Sequence, residues 1–399
     1  MSSYFNYFYI AIAILWKPLQ GTIISFDGKG RILLMLTIVS IIANCNKKAF
    51  RNLLFSKPIA LWFTWCIFAT VNTYINGYDD PEIPFYFFAV NQVFCPCIIM
   101  AVSAFEYQKN PHRFLIVALC TYLIYSFIGA FVMDIGYVAQ EEGALNVNTL
   151  GNSLSLNVMM IIFFAGVLYC RKEIKLITVA ALVLYATCII IVSATRKALG
   201  AGGIMIIALI LSHFKWNFGN FIKLLFPIIL LYASLNFVMS NTQMGERFQE
   251  MEETSDKYNE QYDIKGNIFL ETVGDRAPQY IIGAQIFKEN PITGIGLRNF
   301  QRVSGYPFRL HTEYMVQICE CGVIGCILFL AFNLNIIKRL IRRIRISQDD
   351  KKNAIMMLGT MVALFFIYLT AWGYSIYTYF VVLGCIVGYT FSKKSNKTH

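Results

Sequence analysis

The chain has 399 residues, 57% of them hydrophobic and 14% charged, with a mean hydropathy of +0.56. That balance excludes a water-soluble globular fold and makes the bilayer the solvent, so the chain reads as an all-α polytopic membrane protein. The formal charge of +11 is dispersed between apolar runs rather than gathered on one face, which implies anionic membrane lipid as a partner and no nucleic acid.

About twenty helical residues cross a hydrocarbon core of roughly 30 Å, and about twelve apolar runs follow one another. They are Tyr4 to Ile24, Ile32 to Cys45, Ile59 to Ile75, Phe85 to Phe105, Phe114 to Met133, Leu150 to Tyr169, Leu176 to Ser193, Ala198 to Leu211, Phe221 to Met239, His311 to Ile337, Ala354 to Leu369 and Tyr374 to Phe391. The second and eighth are short. The first lacks a basic leader and a small-residue cleavage site, so it reads as an uncleaved span.

Basic residues mark alternate loops: Lys47, Lys48, Arg51 and Lys57, then Lys109 and Arg113, then Arg171, Lys172 and Lys175, then Lys215 and Lys223. The run Lys338 to Lys352 and the C-terminal tail continue the pattern. By the positive-inside rule these loops and both termini are cytoplasmic. Two opposite loops are acidic, with Asp79, Asp80 and Glu82 in one and Asp134, Glu141 and Glu142 in the other; Lys29 and Arg31 break the pattern.

Arg196 departs from the rule more sharply. It lies in Ser193-Ala194-Thr195-Arg196-Lys197, a tight outer hairpin between two apolar runs. A charge near the hydrocarbon costs about 2 to 4 kcal/mol unless compensated, so an off-pattern arginine is a functional candidate as well as a candidate for snorkelling to lipid phosphate.

The chain then divides into membrane helices 1–9 (residues 1–240), one long outer loop between helices 9 and 10 (241–310), and helices 10–12 with a basic tail (311–399). Within the loop, Glu246 to Lys265 is dense in charge and reads as an exposed helix or mobile segment. The apolar positions Ile281, Ile282 and Ile286 predict a short amphipathic helix that stops at Asn290-Pro291, because the residue before proline disfavours the helical region. Gly294 and Gly296 then let the backbone turn tightly. A lone Gly-x-Gly is a weak phosphate-loop signal.

Arg276, Arg298, Arg302 and Arg309 surround this turn. A guanidinium fork binds phosphate bidentately, so their concentration suits a lipid diphosphate, although each taken singly reads as a solvated loop charge. His112, His213 and His399 fall in cytoplasmic segments, which leaves His311 as the outer-side histidine and the leading general base. The competing reading is a helix-entry histidine that only hydrogen-bonds at the interface.

Glu313, Gln317 and Glu320 follow at helical spacing on one face, roughly opposite His311 at about 100° per residue. Glu320 therefore reads as a buried packing partner rather than a catalytic acid, with Glu313 open. Eleven scattered cysteines lack zinc or redox spacing and read as small core hydrophobes. With no spaced Asp or His motif, metal-independent chemistry without a cofactor is expected.

Three stretches together resemble the O-antigen ligase and Wzy-type polysaccharide polymerase superfamily. They are Ser193 to Gly200, Asp275-Arg276 through Gly294-Ile295-Gly296, and His311 through Glu320-Cys321-Gly322-Val323-Ile324-Gly325. The resemblance implies a metal-independent glycosyltransferase in the bacterial inner membrane, acting on an undecaprenyl-diphosphate-linked glycan as donor. By position, Arg196 and Arg276 look like the family's diphosphate arginines and His311 like its base. Thr312 stands where the family often has asparagine.

The acceptor is a second lipid-linked repeat unit in a polymerase and a lipid A core sugar in a ligase, and the polymerase is the favoured reading. A chain-length regulator is a further candidate partner. A lipid-linked glycan flippase or other transporter is the alternative class, but it predicts charges deep in several spans and paired halves, whereas the charges here gather at the faces and in one loop.

Overall fold

The computed structural model describes residues 2–19, 31–78, 83–132, 148–193, 195–213, 277–306, 308–346, 348–371 and 373–392. Among these, all regular structure is helical: α1 (Ser2–Leu19), α2 (Arg31–Cys45), α3 (Lys48–Leu54), α4 (Lys57–Ile75) and α5 (Phe85–Lys109), then α6 (Pro111–Phe127), α7 (Asn148–Cys170), α8 (Leu176–Val192) and α9 (Arg196–His213). After the 214–276 stretch come α10 (Ala277–Glu289), α11 (Phe300–Ser304), α12 (Glu313–Met315), α13 (Gly322–Ile346), α14 (Gln348–Tyr368) and α15 (Tyr377–Phe391). The predicted run Phe221 to Met239 and the charged segment Glu246 to Lys265 lie outside the described residues.

Among the described residues, five segments are long and apolar enough to cross a membrane: Lys57–Ile75, Phe85–Lys109, Pro111–Phe131, Gly322–Arg345 and Asp350–Tyr368. A sixth follows if α2 and α3, bent by 118°, form one broken span; α1, α7, α8, α9 and α15 contain shorter apolar helices. Exposed Phe63, Ile67, Val71, Ile327, Leu330 and Leu334 on α4 and α13 are what a lipid-facing surface requires, since lipid tails solvate them and water does not.

The chain forms two compact units. The first comprises residues 1–121, 281–343 and 371–399, and the second residues 122–280 and 344–370. In the first, α15 lies close against α5: a Cβ at Gly384 would meet the Met100 carbonyl oxygen at 2.5 Å, and one at Gly388 the Ala104 carbonyl oxygen at 2.7 Å. This small-xxx-small spacing replaces the hydrophobic drive that is absent between helices in lipid. In the second unit α9 packs on α14, with Gly359 against Ala208.

Helix α5 contains a π-turn over Ala89–Phe94. Pro96 explains its position. Proline has no N–H and its ring collides with the carbonyl four residues back, here that of Gln92, so the turn before it widens instead of breaking.

The tenth run differs from its sequence reading. No continuous helix covers His311 to Ile337; α12 has three residues, a π-turn follows over Val316–Glu320, and the membrane-crossing helix begins at Gly322. The cause is local, because Gly322 adopts φ +61°, a left-handed conformation that stops one helix and starts another. The wide turn also removes the regular periodicity on which the shared face of Glu313, Gln317 and Glu320 was reasoned.

Candidate functional site

In the first unit, a turn of residues 290–300 is held against the break at 319–322. The predicted amphipathic helix is present as α10 and ends at Glu289, just before Asn290-Pro291, as the proline requires. Beyond it, Gly294 and Gly296 have φ +70° and +83°. A Cβ at Gly294 would meet the Glu320 carbonyl carbon at 2.5 Å.

This close approach allows backbone pairing between two irregular segments. Ile295 N–H donates to the Cys319 carbonyl at 3.2 Å, and Gly296 N–H to that of Glu320 at 2.8 Å. Val323 N–H donates to Pro291 O at 2.9 Å, and Ile324 N–H to Ile292 O at 3.2 Å.

The same accounting decides against a phosphate loop. Gly294 N–H goes to Asn290 O at 3.1 Å, and Leu297 N–H goes to Thr73 Oγ1 at 2.8 Å. Arg298 and Phe300 N–H groups go to the Glu320 carboxylate. The donors that would cradle an anion are therefore committed within the protein, and the Gly-x-Gly serves close packing.

Arg298 sits at φ +65°, unusual for a residue with a Cβ and costing about 1 to 2 kcal/mol. Its backbone N–H on Glu320 holds that conformation. Its half-buried guanidinium hydrogen-bonds Gln92 Oε1, acts electrostatically on the Tyr374 hydroxyl, and lies 5.1 Å from the Phe88 ring centroid. Gln92 comes from the π-turn of α5 and Glu320 from the π-turn after α12, so two wide turns converge on one arginine. Leu297 and Phe300, both fully buried, anchor the turn from below.

The other predicted residues are placed differently. Arg302, exposed on α11, donates to the carbonyls of Asn76 at 2.7 Å and Gly77 at 3.1 Å, clamping the end of α4. Arg309 Nε donates to Gln301 Oε1 at 3.3 Å. His311 is half-buried just before α12. Arg196 opens α9 in the second unit, with its side chain outside the described set, and Arg276 lies outside the described residues altogether.

Thr312, fully buried, caps α12: its hydroxyl accepts from Met315 N–H at 3.2 Å. Asparagine and threonine share this capping chemistry, so the sequence departure at Thr312 retains a cap at the entry to α12.

Both glutamates are buried outside the membrane-crossing helix that starts at Gly322. Burial pushes the Glu320 carboxyl up to about 7, against the pull of the Arg298 and Phe300 N–H groups. Burial also raises Glu313, opposed by hydrogen bonds from Gly373 N–H, Gln317 and Tyr374 N–H. Desolvation favours the neutral acid in each, while donors favour the carboxylate.

Sequence reasoning missed Gln92, Tyr374 and Trp65, the last of which donates to Gln317. A signal existed for the first: Asn91-Gln92 interrupts an apolar run four residues before Pro96. Among the described residues no group of three or more His, Cys, Asp and Glu side chains converges in a metal-binding arrangement.

No curated protein matches the chain. Residues 180–330 match the family model described as O-Antigen ligase, a stretch that contains Arg196, Arg276, Arg298, Arg302, Arg309 and His311. This part of the chain is similar to a domain of the O-antigen ligase type, consistent with the O-antigen ligase and polymerase superfamily.

Proposed function

We propose that this protein polymerises undecaprenyl-diphosphate-linked oligosaccharide repeat units into a surface polysaccharide, at the outer face of a bacterial inner membrane. In this reading it has twelve spans, cytoplasmic termini and residues 241–310 as the outer loop. The observation that carries the reading is the family match over 180–330, which encloses every arginine and the histidine selected on chemical grounds.

The mechanism is a single inverting displacement. The acceptor sugar hydroxyl attacks the donor anomeric carbon as His311 takes the hydroxyl proton. The bond from that carbon to the diphosphate oxygen breaks, and the diphosphate leaves with the electron pair. Arg196 and Arg276 take the role of neutralising the leaving group, and Arg298 is held to assist it. General-base help contributes about 10² to 10⁴ in rate, with electrostatic stabilisation of comparable size. Arg302 and Arg309, engaged with carbonyls and an amide, have a smaller share.

A second reading is favoured by the description of the matching family: transfer of finished polymer to lipid A core by a ligase. Deleting the gene in its host and resolving surface glycan beside the lipid-linked pool separates the two. Loss of the ladder with single repeat units still on the surface anchor means polymerase, and intact polymer stranded on its lipid carrier means ligase. His311→Ala should lower transfer by about 10² to 10⁴, and normal glycan from that variant would refute the base.

A further inference from the structure

The residue after the Thr312 cap has a role that the mechanism above leaves unassigned. Glu313 is fully buried. Its Oε1 accepts from Gln317 Nε2 at 2.7 Å, and its Oε2 accepts from Gly373 N–H at 2.6 Å and Tyr374 N–H at 3.2 Å. Its own N–H donates to the Ala371 carbonyl at 3.2 Å. The segment carrying His311 is thereby fastened to the connection between α14 and α15 through both carboxylate oxygens and the backbone. That connection supplies Tyr374, whose hydroxyl feels the Arg298 charge.

The chain of bonds has a fixed direction. Trp65 Nε1 is donor-only, and it donates to Gln317 Oε1 at 2.8 Å. The Gln317 amide is therefore oriented with its Nε2 toward Glu313. Donors arrive at Glu313 from both sides, so both of its oxygens must accept, which a carboxylate does and a carboxamide cannot.

We propose that Glu313 is a positioning residue that sets His311 and, through Tyr374, Arg298, by acting as the terminal acceptor of the Trp65, Gln317 and Glu313 chain. It does not exchange a proton with substrate. This inference rests on His311 being the base of the proposed transfer.

The geometry supplies its own test, an isosteric swap. In Glu313→Gln alone, an amide NH2 faces either the Gln317 NH2 or the two backbone N–H groups. In Gln317→Glu alone, two carboxylates meet where a hydrogen bond was. In the double variant, the carboxylate placed at position 317 accepts from Trp65 and from the new amide at position 313. The oxygen of that amide accepts from Gly373 and Tyr374, so every donor is satisfied again.

The probe is the host's own lipid-linked repeat unit, extracted from the gene-deletion strain and supplied to purified full-length protein. Each single variant should lower kcat by about ten- to a hundredfold with KM little changed, the penalty of misplacing a catalytic group. The swap should return kcat to within about twofold of the parent, as for a pair whose coupling has been restored.

A Glu313→Gln protein as active as the parent would overturn the proposal. So would a swap no better than its singles, because the charge at position 313 would then itself be used. If a single variant fails to accumulate, the swap decides: recovered protein with recovered rate supports the proposal, and recovered protein without rate overturns it. His311→Ala run alongside separates the two levels. If that variant stays active, the proposed function fails; if it is inactive while the swap fails, only the positioning role does.

Discussion

Two regions of the first unit solve one problem in opposite ways. Where α15 meets α5, the backbone groups are paired within each helix, and Gly384 and Gly388 only let the two cylinders approach. Where the 290–300 turn meets the 319–322 break, neither segment is regular, and buried N–H groups find partners across the gap or on Glu320. Buried away from water inside the protein, an irregular backbone survives only when its polar groups are paired in this way. The difference teaches where function can reside: the helix pair asks only for the absence of bulk, whereas the turn depends on particular atoms, and it carries Arg298.

Substitutions can break that comparison. The largest effect is expected for Gly294→Val, which combines a left-handed conformation, costing about 1 to 2 kcal/mol, with collision against the Glu320 backbone. A total above about 3 kcal/mol is expected once overpacking is added, read as a fall in thermal stability of the detergent-solubilised protein together with loss of transfer. A stable Gly294→Val protein would mean that the turn is not seated on the break.

Next comes Glu320→Ala, which leaves the buried Arg298 and Phe300 N–H groups without their acceptor. At about 1 to 3 kcal/mol for an orphaned group, the loss should be about 2 to 4 kcal/mol, and Glu320→Gln should recover much of it by restoring an acceptor oxygen. Equal loss in both variants would argue that the charge, not the hydrogen bonds, holds the turn.

Gly384→Val should cost about 1 to 3 kcal/mol through overpacking alone. Because α5 also carries Gln92, the sharper readout is activity per folded protein, which should fall less than in Glu320→Ala. A greater fall would place the sensitivity in the helix pair and reverse the comparison.

Much of this was legible in the sequence. Apolar runs bounded by charged loops give the helices, the Asn290-Pro291 stop ends α10 where expected, and Gly294 and Gly296 turn as their residue type suggests. The cluster of arginines before His311 and the motif order pointed to the family that residues 180–330 match. Position along the chain and local propensity suffice for such features, because each depends on neighbours within a few residues.

Tertiary structure alone decided the rest. Arg302 clamps the carbonyls of Asn76 and Gly77 at the end of α4, partners so distant in the chain that no local pattern reveals them. The Gly-x-Gly turn uses its N–H groups on Cys319 and Glu320 rather than on an anion, and helical periodicity could not foresee a π-turn that redirects Glu320 toward Arg298. Sequence determined which groups carry charge and where the chain must turn; long-range hydrogen bonding in a dry interior determined which of those groups are already committed to holding the fold.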